Sequence, residues 1–584
     1  MGVARFGLGL AACGAAVGGA ALAQESPRSP DIVPSREQVQ PPAPRASDAP
    51  PPRVRVDGSR TATAAPCPLD ALDIRADLRT IRFVAADARP LPAEIVRTLA
   101  GVTVAAPGEQ PIGAVCTVRD RATEALRRAG YIASVQIPPQ EISGGELQLQ
   151  VVLARITEVR VRGEPGHYRD ALLQRIAQLK ALDPLNEHDA ERILLLAGDI
   201  PGLDVQLSLR PAGTTPGAVI GDLTIVRRRF TMLANLQNYG STQLGRETGY
   251  LRGELYGLLT PTDIAYAGVS ATAQSREQRV AQGGYITGLG SGGLTVGGRI
   301  NYAWSRPDLG LLDLRSRSLI AGIDIALPLY RSVNRSLSVA AGGEIIEQRT
   351  RVYGSPLGSA PLNRDKLRIA FLRATGNARA RRADGRDMFA LAGVVEIRRG
   401  LGILNATPRG AAASPSGYIP SRFGADPQAF VARAIVDGQA FAGPFSVATS
   451  ARGQWANNPL LNFEEFAIGN LSVGRGYDPG SNSADRAIGF ANELRVALPL
   501  SRRVPIQLFG FGDIVWLRNL DQSTTERKRR LRSAGGGARV TLPGRMVLEM
   551  AYAHAFDRAL TFADRPPPDR VLLSLTAQFA PQAR

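Results

Sequence analysis

The run Leu294-Thr295-Val296-Gly297-Gly298-Arg299-Ile300-Asn301-Tyr302-Ala303-Trp304 decides the fold. Leu294, Val296, Gly298, Ile300, Tyr302 and Trp304 share one parity, and Thr295, Gly297, Arg299, Asn301 and Ala303 the other. Successive side chains of an extended chain point to opposite faces, so this is a strand with one apolar and one polar side. The same pattern places Leu319, Ala321, Ile323, Ile325, Leu327 and Leu329 in one row. Ala265 to Ala273 alternate likewise, and the last such segment sets Val571, Leu573, Leu575, Ala577 and Phe579 against Leu572, Ser574, Thr576 and Gln578. Helical periodicity ends at Arg227-Arg228-Arg229 and does not return.

Strands of about ten residues, apolar outside and polar inside, are the signature of a transmembrane antiparallel β-barrel. A secreted sandwich would offer no polar interior for Arg299, Asp324 or Glu254. Residues 229–584 provide about 22 residues per strand and connection if there are sixteen strands, while counts of 14 or 18 also fit. Beyond the N-terminus no run of about 18 apolar residues exists, so helical spans are excluded.

The N-terminus reads as an export signal. Arg5, a Gly/Ala/Leu-rich stretch and Ala21-Leu22-Ala23 before Gln24 make residues 1–23 a signal peptide. Leu10-Ala11-Ala12-Cys13 resembles a lipoprotein box, but too few apolar residues separate it from Arg5. Residues 24–66 hold ten prolines, which predicts an extended Pro-rich linker without a useful amphipathic helix. Cleavage would leave Cys67 and Cys116 as the cysteines of an exported chain. One disulfide between them and two unpaired buried thiols are both compatible with the sequence.

Between linker and barrel, a supersecondary order occurs twice. In residues 67–155, Ile81–Val84 is a strand, Ala93–Leu99 and Val115–Arg128 are helices, and Ile132–Ile137 and Glu146–Val152 are strands. Residues 156–228 repeat it with Thr157–Val161, Asp170–Leu179, Glu187–Leu196 capped by Asn186, Val205–Leu209 and Leu223–Arg227. Two α+β modules of this kind each expose a sheet edge able to accept an extended peptide, or serve as spacers.

The net charge of +18 comes from arginines spread along the chain, with Lys180, Lys366 and Lys528 as the lysines. No concentrated basic patch with both residue types is present, so nucleic acid is not an expected partner. Gly288-x-Gly290-x-x-Gly293 fits a dinucleotide fingerprint literally but lies between two strands and opens no helix, which makes it a hairpin turn. His167, His188 and His554 are too scattered for a metal or a catalytic triad, and no phosphate loop exists. No enzyme activity, metal or cofactor is expected.

Val473-Gly474-Arg475-Gly476-Tyr477-Asp478-Pro479-Gly480 resembles the (V/L)RGY/F loop signature of the TpsB transporters of two-partner secretion, relatives of BamA with periplasmic POTRA domains. Phe463-Glu464-Glu465-Phe466 and Gly469-Asn470 before it are also similar, as are Gly130-Tyr131-Ile132 and Ile137-Pro138-Pro139-Gln140 in the first module. The resemblance implies that the loop folds back into the barrel lumen, where Arg475 meets Asp513 of Phe511-Gly512-Asp513 on the wall. Val515 stands where the family usually has a glycine, the family's plug helix is not recognisable in residues 24–66, and residues 580–584 follow Phe579 where many relatives end.

The Arg475–Asp513 pair is readable as a latch that rearranges during export or as a permanent brace. The implied function is outer-membrane export of a large, unfolded TpsA-like haemolysin or adhesin without nucleotide hydrolysis, the modules lying in the periplasm. Outer-membrane lipid and lipopolysaccharide are the other expected partners, with Arg527-Lys528-Arg529-Arg530 as a solvated surface loop. The competing implication is a BamA-type assembly factor, which the two-module count disfavours.

Overall fold

The structure is a computed structural model that describes residues 34–40, 56–57, 67, 69 and 72–581, apart from short gaps at 88, 143, 214, 275–276, 311, 356–357, 383, 411–418, 499–503 and 522–523. The expected signal peptide, residues 1–23, lies outside the described residues, as does most of the Pro-rich linker. Two linker pieces are described: a single helical turn, α1 (Arg36–Val39), and a two-residue strand, β1 (Val56–Asp57).

The first module contains β2 (Arg75–Leu78), β3 (Thr80–Ala85), α2 (Ala93–Leu99), β4 (Gly108–Pro111), α3 (Ala114–Arg128), β5 (Ala133–Gln136) and β6 (Glu146–Leu153). β3, β6 and β5 form one sheet in that order, and β2 pairs with β4 beside it. α3 buries Val115, Val118, Ala122 and Leu126, the helical-spacing stripe of the sequence, against Leu147, Leu149 and Val151 of β6. Cys67 is bonded to Cys116 of α3 with a Cα separation of 6.0 Å, which ties the start of the module to its longest helix.

The second module repeats the plan with β7 (Arg155–Arg162), α4 (Arg169–Lys180), α5 (Glu187–Gly198), β8 (Leu203–Pro211) and β9 (Ala218–Arg227). The last strand is central in both, and the first strand runs parallel to it. Of the two edges of this sheet, β7 has no neighbouring strand among the described residues, whereas β8 is covered. β1 pairs with it in parallel, Val56 opposite Leu207 and Asp57 opposite Ser208.

The modules are joined by direct contacts. The Asn186 side chain accepts from the His188 amide at 2.9 Å to cap α5, and donates to the Ala129 carbonyl at the end of α3. Gly130 (φ +86°) permits this approach, since a Cβ there would lie 2.6 Å from the His188 ring. Ile132 and Ala154 of the first module complete the core of the second.

Sixteen antiparallel strands then close into a barrel. They begin with β10 (Phe230–Gln237), β11 (Thr248–Tyr256), β12 (Asp263–Thr272) and β13 (Gln278–Leu289). β14 (Leu294–Ser305), β15 (Asp313–Arg331), β16 (Arg335–Ser355) and β17 (Gly358–Arg381) follow, the last three the longest of the wall. β18 (Asp387–Gly400), β19 (Phe430–Ala442) and β20 (Phe445–Ala456) lead to a long loop, which contains the small hairpin β21 (Phe466–Ala467) and β22 (Ser483–Ala484). β23 (Arg486–Leu498), β24 (Ile506–Arg518), β25 (Lys528–Leu542), β26 (Met546–Ala555) and β27 (Arg570–Phe579) finish the wall.

β10 pairs with β27, and the Asn235 side chain donates to Ser574 and Thr576 across that seam. Ile300, Ile323, Ile325 and Leu573 are exposed outward, whereas Asn301, Ser318, Glu344 and Gln348 are buried inward, as the alternation requires. Gly290 and Gly293 sit in the β13–β14 turn, so the literal dinucleotide pattern is a hairpin.

The second module rests on one end of the barrel. Arg175 of α4 donates to the Ser291 carbonyl at 2.6 Å, and Arg331 of β15 pairs with Asp199 at the end of α5. Burial, together with Arg227 and Arg229, pushes the pKa of His167 down at this junction.

A Cys116→Ser variant is expected to lose about 2–4 kcal/mol of first-module stability, because the bridge closes a loop of about 50 residues in the unfolded chain. Thiol alkylation of the native protein should label neither cysteine until reductant is added. Labelling without reductant would refute the bridge.

Candidate functional site

The 457–485 loop enters the lumen, and each residue of its motif has a physical task there. Arg475 donates to Asp513 three times: from the backbone amide (2.8 Å), from Nε (3.0 Å) and from Nη2 (2.6 Å). Its Nη1 is directed to Glu493 of β23, which Arg539 of β25 also contacts at 2.8 and 3.0 Å. The guanidinium lies 3.8 Å above the Phe511 ring. Inward parity on β24 puts Phe509, Phe511, Asp513 and Val515 on the lumen side.

Gly474 has φ +102°, a backbone geometry that favours glycine. At Gly476 the loop touches the wall: a Cβ would lie 2.9 Å from the Ala555 amide nitrogen and 2.9 Å from Ser533 Cβ. Tyr477 is fully buried, and its hydroxyl lies 2.9 Å from the Arg532 carbonyl and 3.0 Å from that of Asp557. Asp478 accepts from Thr242 at 2.9 Å and pairs with Arg570 at 2.7 Å, reaching β27 and the β10–β11 loop. Val473 packs with Tyr477 and Val515. Valine at 515 thus fills an apolar contact beneath the loop.

The structure therefore brings Val473 to Asp478, Phe511 and Asp513 together, and keeps Cys67 and Cys116 apart from them in the first module. Several partners were not singled out from the sequence. Glu493 was missed because it is one carboxylate among many on alternating strands. The acidic pair Glu464-Glu465 was noted without a role, and the structure gives each a separate one.

Glu464 faces a charge cluster on one side of the lumen. Arg398 of β18 binds it at 2.9 and 3.1 Å, Arg433 of β19 at 3.1 Å, and Arg36 of α1 at 3.0 Å. Glu344 of β16 joins from the wall, taking Arg398 at 2.7 Å and Arg36 at 3.0 Å. Arg398 is 1% exposed, so the cost of burying its charge is offset by these carboxylates. Glu465 turns the other way to Arg422, which also pairs with Asp485 and, at 2.7 Å, with Asp521. One guanidinium thereby ties the β18–β19 loop that carries it to the 457–485 loop and the β24–β25 loop.

The expectation of a featureless tether in residues 24–66 is corrected at this point. α1 lies inside the barrel: Val39 is completely buried among Val280, Ala303, Ile320 and Ile346 of the wall and Leu461 and Phe463 of the loop. Proline density hid the turn, but Ser35-x-x-Gln38 is a capping-box signal, and Gln38 accepts from the Ser35 amide at 2.9 Å. Likewise, Lys528–Arg530 are not loop but the start of β25, where Arg529 donates to the Thr561 hydroxyl.

With this geometry in place, the comparisons are specific. Residues 225–540 match the family model described as haemolysin secretion/activation protein ShlB/FhaC/HecB. The fold is similar to CdiB from Escherichia coli, with a TM-score of 0.68 at 17% identity over 89% of this chain and 94% of that one. CdiB from Acinetobacter baumannii gives 0.58 at 15% identity, covering 86% and 90%. BamA from Haemophilus ducreyi lacking POTRA domains 1–3 gives 0.50 at 13%, covering 86% and 100%. None of the curated proteins compared matches the chain in sequence.

Replacing Glu464 by Gln keeps its shape but leaves Arg398, Arg433 and Arg36 short of one carboxylate. A loss of about 3–5 kcal/mol is expected, read as a lower temperature for conversion of the compact barrel band to the unfolded band on gels. An unchanged transition would show that the buried arginines do not depend on Glu464.

Proposed function

From the premise that the chain belongs to the ShlB/FhaC/HecB haemolysin secretion/activation family, we propose how its geometry carries a partner chain across the outer membrane. The protein is an outer-membrane transporter of the TpsB type, whose partner is a large TpsA-like exoprotein. Its closed sixteen-strand barrel has the fold of the CdiB structures, while BamA is the more distant likeness.

In our reading, residues 67–155 and 156–228 are POTRA domains that capture the unfolded exoprotein by strand addition. The sheet edges at β3, β5 and β7 have no neighbouring strand among the described residues, so they offer unpaired backbone groups. β8 becomes a further acceptor when residues 56–57 leave it. No catalytic step or bound cofactor enters the proposal. Folding of the exoprotein outside the cell supplies the free-energy gradient.

The single observation that carries the lumen mechanism is the multiple contact of Arg475 with Asp513 and Glu493 inside the barrel. We assign it the role of holding the 457–485 loop against the wall while the exoprotein passes. A charged side chain buried there is stable only when paired, so the loop has one strongly preferred seat.

Arg475→Ala should therefore give a barrel that still assembles at wild-type abundance, with exoprotein in the medium reduced about tenfold or more. Arg475→Lys, which keeps the charge but not the fork of donors, should retain an intermediate yield. Normal secretion by Arg475→Ala at equal abundance would sink this role.

A further inference from the structure

On the outer wall, away from the lumen, the registry of four strands assembles an unusual row. Arg279 of β13 stands opposite Trp304 of β14, Trp304 opposite Arg317 of β15, and Arg317 opposite Arg349 of β16. Two positions along, Arg315 stands opposite Arg351. Like charges directly opposed on neighbouring strands destabilise a sheet. Here two such pairs are stacked.

These side chains point outward. Trp304 shares its parity with the lipid-facing Ile300, Arg317 with Ile323, which is 70% exposed, and Arg349 with the exposed Ile345. The intervening Ser316, Ser318, Gln348 and Thr350 are buried inward. The row lies four residues beyond Ile300, about 14 Å further along the strand at about 3.4 Å per residue. Tyr302 and Trp304, with ring centroids 4.6 Å apart, mark the rim of the apolar band, and Arg315 stacks 4.0 Å over Tyr353.

The row is at the end of the barrel opposite the modules, because the β13–β14 and β15–β16 turns contact the second module. In the outer membrane that end meets the outer leaflet. A cleft of about 500 Å³ opens there, lined by six arginines and no carboxylate. Asp313 nearby is shared by Arg306 and Arg315. Neither Arg317 nor Arg349 has a carboxylate partner among the described residues.

We propose that this cleft binds the phosphorylated sugar headgroup of outer-leaflet lipopolysaccharide, one phosphate lying between Arg317 and Arg349. The charge of a phosphate offsets the opposed Arg317–Arg349 guanidinium pair, and its oxygens match their forked donors. Continuity with the lipid-facing Ile300, Ile323 and Ile345 places the acyl chains of the same molecule on the apolar band directly below.

The test uses the full-length protein in detergent micelles, with binding of Kdo2-lipid A followed by native mass spectrometry. Wild type should bind one molecule at least tenfold more tightly than the Arg317→Gln/Arg349→Gln variant. Wild type should also prefer Kdo2-lipid A at least tenfold over its dephosphorylated form, a comparison that needs no variant and stands if the variant fails to fold. Equal binding of the two lipids, or of the two proteins with the compact barrel band intact, would overturn the proposal. Full displacement of the lipid by inorganic pyrophosphate at comparable concentration would assign the cleft to a soluble phosphate and overturn the lipid source.

Discussion

Closure of the hydrogen-bond ladder between β10 and β27 is the constraint on which everything else depends. A bilayer offers no water to strand-edge amides and carbonyls, so the sheet has to meet itself. Once it does, strand parity assigns residues to lipid or lumen, apart from register shifts such as that at Pro328–Tyr330. Charges that fall inward are then confined in a narrow space and must neutralise one another. The lumen of this barrel is accordingly built from interlocked guanidinium and carboxylate groups, with α1 and the 457–485 loop as the contributors from outside the wall.

That loop is fixed at both its entry and its tip. Adjacent carboxylates at its entry, Glu464 and Glu465, serve opposite sides: one the β16–β19 wall with α1, the other Arg422 and the neighbouring loops. At the tip, Arg475 reaches β23 and β24 while Tyr477 and Asp478 reach β25 to β27. The described ion pairs thus run from β14, through Arg299, around to β27. Motion of the loop requires several charge pairs to exchange partners together, which favours discrete seats over gradual drift.

Much of this was legible in the sequence because period-2 alternation is strong in Leu294–Trp304 and Leu319–Leu329, where lipid and water impose opposite demands. The helices of both modules also stood out, their boundaries falling within about two residues of those read from apolar spacing. β2 and β4 were not read, since four-residue strands carry too little alternation to register. The Arg475–Asp513 contact came from motif resemblance. Glu493, Arg36 and Arg398 were illegible because their partners are hundreds of residues away or sit on strands where many arginines look alike. In α1, a four-residue turn whose stability comes from burial of Val39 left almost no local signature among prolines.

The two described pieces of the linker have a mechanical consequence. α1 is seated in the lumen and β1 on the β8 edge, yet both belong to one short stretch of chain. From Gln40 to Val56 a fully stretched backbone reaches at most about 55 Å. That covalent reach caps the distance between the two anchors, so displacement of one is bounded by the position of the other. The linker is a leash of fixed length joining the inside of the pore to the outside of a module.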